Sequence, residues 1–196
     1  MDYHMLSGYA VLTLIIFRIL WGFLGGRYAR FSSFIYSPAR IINYLQSITA
    51  KQPSTIVGHN PAGGLSVLVM LVLLLGQGVT GLFTNDDIML EGPLTHLVSY
   101  ELSRSLTGIH ETISWLLAAI ITLHILAILF YRIVKKQNLV KTMITGSMEI
   151  KSSVDKSGDS DEALDRGHTK EGNYWFRGLL LLGFCSGLTY GIINYL

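Results

Sequence analysis

Residues 108–134 read GIHETISWLLAAIITLHILAILFYRIV, and this run decides the fold class because it is long and apolar enough to cross a bilayer. It nevertheless contains two histidines, His110 and His124. At about 1.5 Å of rise and about 100° of rotation per residue, the imidazoles lie roughly 21 Å apart along the axis and within roughly 40° of one face. The helix is therefore predicted to place one imidazole near each side of the membrane.

Ionisable side chains at membrane depth are costly, so they usually face a protein interior and a partner. A metal is the natural partner of imidazole among apolar helices, and haem iron is suitable because a second helix can supply the opposite axial ligand. The alternative is that both histidines are hydrogen-bonded packing residues.

The composition is that of an integral membrane protein. Of 196 residues, 50% are hydrophobic and only 14% are charged. The apolar runs do not alternate as barrel strands would, so an all-α transmembrane helical bundle is expected, with lipid and not nucleic acid around it. The single cysteine, Cys185, excludes an intrachain disulfide, and the absence of Cys-x-x-Cys-His excludes covalent c-type haem.

Apolar runs and the loops between them divide the chain into three parts. A membrane domain is predicted at 1–147, a polar flexible linker at 148–174 and a C-terminal transmembrane helix at 175–196. Within the first part, a short interfacial helix is predicted at 41–47. The four predicted spans are about 5–25, 64–84, 108–134 and 175–196.

The first span repeats the histidine spacing of the third. His4 lies at its start and Arg18 fourteen residues later, so both side chains share one helix face. Lysine and arginine are concentrated in loops 26–63 and 132–174, which predicts that both loops are cytoplasmic. His4 and His110 then fall at the same outer level, whereas Arg18 and His124 fall at the inner level.

Small residues in two of the spans predict close helix packing. In the second span these are Gly76, Gly78 and Gly81. In the C-terminal span, Gly183, Gly187 and Gly191 recur at every fourth position and predict a helix–helix packing face.

Four motifs in a fixed order resemble the bacterial cytochrome b561 family, which includes the b-type cytochrome subunits of nickel–iron hydrogenases. They are HMLSGYAVLTLIIFRILWGFLGGRYARF at 4–31, GHNPAGG at 58–64, HETISWLLAAIITLH at 110–124 and KTMITG at 141–146. The resemblance covers about residues 4–147. It implies a four-helix membrane bundle that holds two b haems, each between histidines of different helices.

The resemblance also implies a role for each matching residue. His4 and His110 would be the axial pair of the outer haem, and His124 would be one ligand of the inner haem. Arg18 and His59 would lie near the inner propionates. The family has an earlier helix, whose His followed by Trp supplies the second inner ligand. We therefore expect a shortened version of a longer protein, with one or two b haems and no second inner-haem ligand in this chain.

The function that follows from the resemblance is electron transfer in the bacterial inner membrane, by a subunit rather than a stand-alone enzyme. The expected route connects a quinone pool with a redox partner, namely a c-type cytochrome, a hydrogenase or a reductase subunit. Glu111, beside His110, is a candidate proton site near quinone. Assembly of several copies of the chain stays open.

Two other classes of function compete with this interpretation. One is a haem-free membrane anchor or assembly subunit of a redox complex, in which the histidines only pack. The other is a small transporter, but the sequence lacks the inverted repeat and broken helices typical of that class.

Overall fold

The computed structural model describes residues 2–26, 29–33, 35–47, 61–88, 91–134 and 174–195. His59, the KTMITG motif and all but the last residue of the predicted linker 148–174 lie outside these ranges. The described part of the chain forms five α-helices in the order α1 (Asp2–Leu24), α2 (Pro38–Ser47), α3 (Pro61–Gly81), α4 (Tyr100–Ile133) and α5 (Tyr174–Tyr195).

The predicted all-α membrane fold with four spans is confirmed. Helices α1, α3, α4 and α5 are each long and apolar enough to cross a membrane. The ten-residue α2 is too short to cross and coincides with the predicted interfacial helix. Extended structure in the described ranges is limited to an isolated bridge between Asn85 and Glu91.

Helix α4 begins at Tyr100 rather than at the apolar boundary near residue 108, because polar residues ahead of that boundary start the helix. The Ser99 side chain accepts a hydrogen bond from the Leu102 N–H at the N-cap, and Glu101 lies in the first turn. The 34 residues of α4 span roughly 51 Å, which exceeds a hydrocarbon core of about 30 Å. The first turns of α4 therefore project beyond the membrane.

Helix α3 lies between α1 and α4, and α5 packs on α1. The close approaches predicted from the α3 glycines are present. A Cβ at Gly78 would lie 2.9 Å from Leu12 of α1, and one at Gly76 would lie 3.3 Å from Ile113 of α4. Glycine at these positions allows α1, α3 and α4 to approach one another closely near His110.

The structure corrects the packing face predicted for α5. A Cβ at Gly183, Gly187 or Gly191 would meet no described atom within 4 Å. The buried face instead presents Cys185 and Thr189 to α1, because a hydroxyl can bond across the interface and a glycine cannot. The small-residue stripe thus faces away from the helices to which α5 is attached.

The loop between α3 and α4 folds back over the C-terminal end of α3. The Leu94 N–H donates to the Leu82 carbonyl at 2.9 Å, and the Ser103 hydroxyl donates to the Phe83 carbonyl at 2.7 Å. Gly92 permits this close return, since a Cβ there would lie 2.4 Å from the Leu82 carbonyl oxygen. These contacts fix the register between α3 and α4 directly beside His110.

Candidate functional site

The outer pair of predicted ligands, His4 and His110, meet between α1 and α4. Their ring centroids lie 6.2 Å apart with an interplanar angle of 80°. His4 is exposed and His110 is half-buried. Two imidazoles from different helices, predicted from their positions in the sequence to share one membrane level, are therefore neighbours in the folded chain.

Helix α3 holds the His110 ring from one side through three polar contacts. Its Nδ1 lies 3.0 Å from the Gln77 carbonyl oxygen and 3.2 Å from the Thr80 hydroxyl, and its Nε2 lies 2.9 Å from the Gln77 side-chain amide nitrogen. A carbonyl can only accept, so Nδ1 bears the proton and donates. The lone pair of Nε2 then accepts from the amide, and Nε2 is the ring nitrogen that would bind a metal once this hydrogen bond is broken.

The wall behind His110 is shaped by Gly81. A Cβ at this position would lie 3.0 Å from the Cε1 of His110.

A second feature of the site is the Gln77 side-chain oxygen, which is buried without a hydrogen-bond partner among the described residues. Buried polar atoms of this kind usually indicate an additional polar or bound group.

The inner histidine, His124, is also supported by α3. Its Nδ1 lies 3.2 Å from the Ser66 hydroxyl, which itself donates to the Gly63 carbonyl at 2.8 Å. Because the Ser66 proton is used at that carbonyl, the hydroxyl oxygen accepts from an Nδ1–H, and Nε2 again retains its lone pair. Both histidines of α4 thus adopt the same tautomer by independent routes.

Arg18 faces the segment that follows α1. One guanidinium nitrogen donates to the Ala29 carbonyl at 3.2 Å, and the guanidinium carbon lies 5.4 Å from the centre of the Phe31 ring. His59, which was predicted to lie near the same inner group, falls outside the described residues. Within the described ranges, no cluster of three or more His, Cys, Asp or Glu side chains could hold a metal ion.

A pair of tyrosines lies beyond the inner histidine. The hydroxyls of Tyr44 on α2 and Tyr131 on α4 are 2.8 Å apart. Burial raises the pKa of Tyr44 above its ordinary value, and the hydrogen bond with Tyr131 raises it further. Tyr131 follows His124 by seven residues, so both project from nearly one face of α4.

The profile of the prokaryotic cytochrome b561 family matches residues 1–146. The chain belongs to this family. As a b561 family member it is a multi-pass membrane b-type cytochrome of electron transfer, and the family implies a b-type haem.

Named relatives of this b561 family member are hydrogenase cytochromes. It is 23% identical over 160 residues to the probable Ni/Fe-hydrogenase 1 B-type cytochrome subunit of Escherichia coli (strain K12), covering 73% of this chain and 67% of the relative. It is 24% identical over 170 residues to the probable Ni/Fe-hydrogenase B-type cytochrome subunit of Rhizobium leguminosarum bv. viciae, covering 78% and 70%. No solved structure matches the chain.

The side chains at the outer site have the chemistry that would be needed to hold the haem that the b561 family implies. They provide two imidazoles from separate helices, with the His110 lone pair on Nε2 and a glycine close to its ring. An unpartnered polar atom lies on the adjacent Gln77 side chain. The inner site is less complete, because in the described part of the chain only His124 offers an imidazole at that level.

Sequence reasoning missed the residues of α3 that orient the histidines. Ser66, Gln77 and Thr80 are polar side chains within an otherwise apolar span, which is itself a signal of function in a membrane helix. Their partners on α4 become evident only once α3 and α4 are placed side by side.

Proposed function

We propose that this b561 family member carries electrons between a quinone pool and a redox partner protein through bis-histidine haem b. The observation that carries the proposal is the His4–His110 pair, whose ring centroids are 6.2 Å apart. Imidazole nitrogens bind metals at about 2 Å, so two rings on opposite sides of one metal would have centroids about 6 Å apart. The observed spacing is thus suited to a shared axial metal.

At the outer site, His4 and His110 would supply the two axial nitrogens. The Gln77 carbonyl would orient His110 by accepting from its Nδ1–H, which also increases the basicity of the ligating nitrogen. Haem would supply one-electron redox chemistry, and ligation by both histidines would leave it no position for oxygen or substrate. The task of the chain is therefore to hold and tune the cofactor.

At the inner site, His124 would be one axial ligand, oriented by Ser66. Arg18 and His59 are proposed to lie near the inner propionates, where a guanidinium can pair with a carboxylate. No described residue supplies an imidazole opposite His124, so the haem content of the isolated chain is proposed to be one, or two if a ligand comes from elsewhere.

The partner is proposed to be a nickel–iron hydrogenase, because the named relatives are subunits of such enzymes. A c-type cytochrome or another reductase subunit would suit the same electron route. We place the protein in the bacterial inner membrane with loops 26–63 and 132–174 on the cytoplasmic side, since these loops hold most of the basic residues.

The competing candidate is a haem-free membrane anchor. One observation favours it: both ring nitrogens of His110 already have hydrogen-bond partners on α3, as a packing histidine would. A reduced-minus-oxidised spectrum of membranes containing the protein separates the two. A b-type absorbance band, with a pyridine haemochrome assay giving about one haem per chain, supports the cytochrome.

The specific test of the outer ligand is His110→Ala, compared with His96→Ala as a matched control. His96 is exposed in the short turn Thr95–Leu97 outside the site. We expect loss of the outer haem in the first variant and an unchanged spectrum in the second. A normal spectrum in His110→Ala, or a colourless wild-type membrane, would contradict the proposal.

A further inference from the structure

Among the described residues of the membrane helices, an unusual polar contact joins the side chain of Gln77 to the ring nitrogen of His110 that is proposed to bind haem. The amide nitrogen of Gln77 is 2.9 Å from His110 Nε2. The same ring donates from Nδ1 to the Gln77 carbonyl at 3.0 Å. One residue therefore contacts both ring nitrogens, with its backbone on one side and its side chain on the other.

These two contacts have different consequences for a metal ligand. The backbone carbonyl fixes the proton on Nδ1 and is compatible with a metal at Nε2. The side-chain amide instead uses the Nε2 lone pair, which is the electron pair that iron needs. The amide and the iron cannot share that lone pair, so the amide must move away when Nε2 binds a metal.

The surroundings of Gln77 indicate that its side chain is not held in place by other bonds. Its Oε1 is buried and has no partner among the described residues. Thr80 bonds to the Gly76 carbonyl at 2.7 Å and to His110 Nδ1, not to the Gln77 amide. When the Gln77 amide moves, it loses only its one hydrogen bond to His110. In a new position its oxygen can gain the hydrogen bond that it lacks here.

We propose that Gln77 is a positioning residue that occupies His110 Nε2 before haem binds, keeps the ring in the tautomer that iron requires, and is displaced on ligation. The inference rests on the proposed role of His110 as a haem ligand. It gives Gln77 two opposed effects, since its backbone orients the ligand and its side chain competes with the metal.

Two substitutions test the proposal with opposite expectations. Gln77→Leu removes the competing amide and keeps the backbone carbonyl, so haem affinity should rise by roughly two- to tenfold, about the worth of one neutral hydrogen bond. Gln77→Glu is nearly isosteric, but a carboxylate accepts hydrogen bonds and favours a proton on Nε2, so haem affinity should fall. A purely structural role predicts the reverse order, with glutamate tolerated and leucine harmful.

The measurement is the equilibrium partition of haem between purified protein and graded amounts of apomyoglobin, followed by absorbance, together with haem content per chain. Asn194→Asp is the control for an added charge, because Asn194 is exposed on α5 and, among the described residues, bonds locally to the Tyr190 carbonyl. Weaker haem retention by Gln77→Leu than by wild type, or unchanged retention by both Gln77 variants, would overturn the inference. If His110→Ala also keeps its haem, the ligand assignment itself has failed, which separates the two conclusions.

Discussion

The hydroxyl of Ser66 on α3 lies 3.2 Å from Nδ1 of His124 on α4 and accepts a hydrogen bond from the Nδ1–H. Replacing Ser66 by alanine should remove this acceptor without changing the ligating nitrogen. Where the inner haem is bound, a less basic imidazole stabilises its oxidised iron less well, so the inner haem of Ser66→Ala should have a higher reduction potential than that of the wild type. Metal affinity typically falls by about 10- to 100-fold when such a partner is lost.

Potentiometric titration of the b-type band measures this effect. Ser114→Ala is the matched control, because Ser114 is exposed on the same helix α4 and bonds only to the Glu111 carbonyl. In protein that carries two haems, equal potentials in both variants and wild type would show that Ser66 does not support a haem ligand.

Gly81 and Gly183 should respond in opposite ways to alanine. A Cβ at Gly81 would lie 3.0 Å from the His110 ring, so Gly81→Ala should displace the ring and shift the spectrum or lower the haem content of the outer site. Gly183 faces open space on α5, and alanine there should raise helix stability by up to about 1 kcal/mol. The comparison is made by haemochrome content and thermal unfolding, and a Gly81→Ala protein with wild-type haem would exclude close packing of this wall.

The fold class was predictable because long uncharged runs can only be membrane helices, whereas the pairing of these helices was not. The level shared by His4 and His110 followed from helix rise and loop charge. Their contact required the registers of α1, α3 and α4, which depend on where each glycine meets a neighbour. The positions of hydroxyl and amide partners such as Gln77 cannot be predicted from sequence spacing, since a single side chain can reach several positions on a neighbouring helix.

The glycines of α5 show why a pattern alone can misplace an interface. Small residues at every fourth position permit close packing, but they do not specify a partner. Thr189 lies at the interface instead: its hydroxyl is buried, lies 3.0 Å from that of Thr13 on α1, and also donates to the Cys185 carbonyl of its own helix. A buried polar group needs such partners, whereas glycine has no such requirement.

The Thr13–Thr189 hydrogen bond should therefore contribute measurably to the attachment of α5. Valine at either position keeps the shape and removes the hydroxyl. We expect each single variant to lose about 1 kcal/mol, and a double-mutant cycle to give a coupling of roughly 0.6 kcal/mol, as for other hydrogen bonds between membrane helices. Unfolding in mixed micelles provides the free energies, with Thr122→Val on the exposed face of α4 as control. A coupling near zero would mean that the two hydroxyls do not hold the helices together.

The Tyr44–Tyr131 contact predicts that the packing of α2 against the bundle weakens at alkaline pH. Burial, and then the bond to Tyr131, raise the folded-state pKa of Tyr44 above its ordinary value of 10.0. The folded chain therefore holds this proton at pH values where the unfolded chain has released it. Stability from this group is complete below about pH 10 and is lost as the pH rises further toward the folded pKa.

In Tyr44→Phe this proton is absent, so the fall in the free energy of unfolding above pH 10 should be shallower than in wild type. At neutral pH the variant should be less stable by about 1 kcal/mol, because the hydrogen bond is lost. Thermal unfolding between neutral and alkaline pH measures both effects, and ultraviolet tyrosinate absorbance reports the ionisation directly. Tyr3→Phe is the control, because that side chain is 87% exposed. Identical alkaline slopes in wild type and Tyr44→Phe would show that the Tyr44 hydroxyl is not buried against α4.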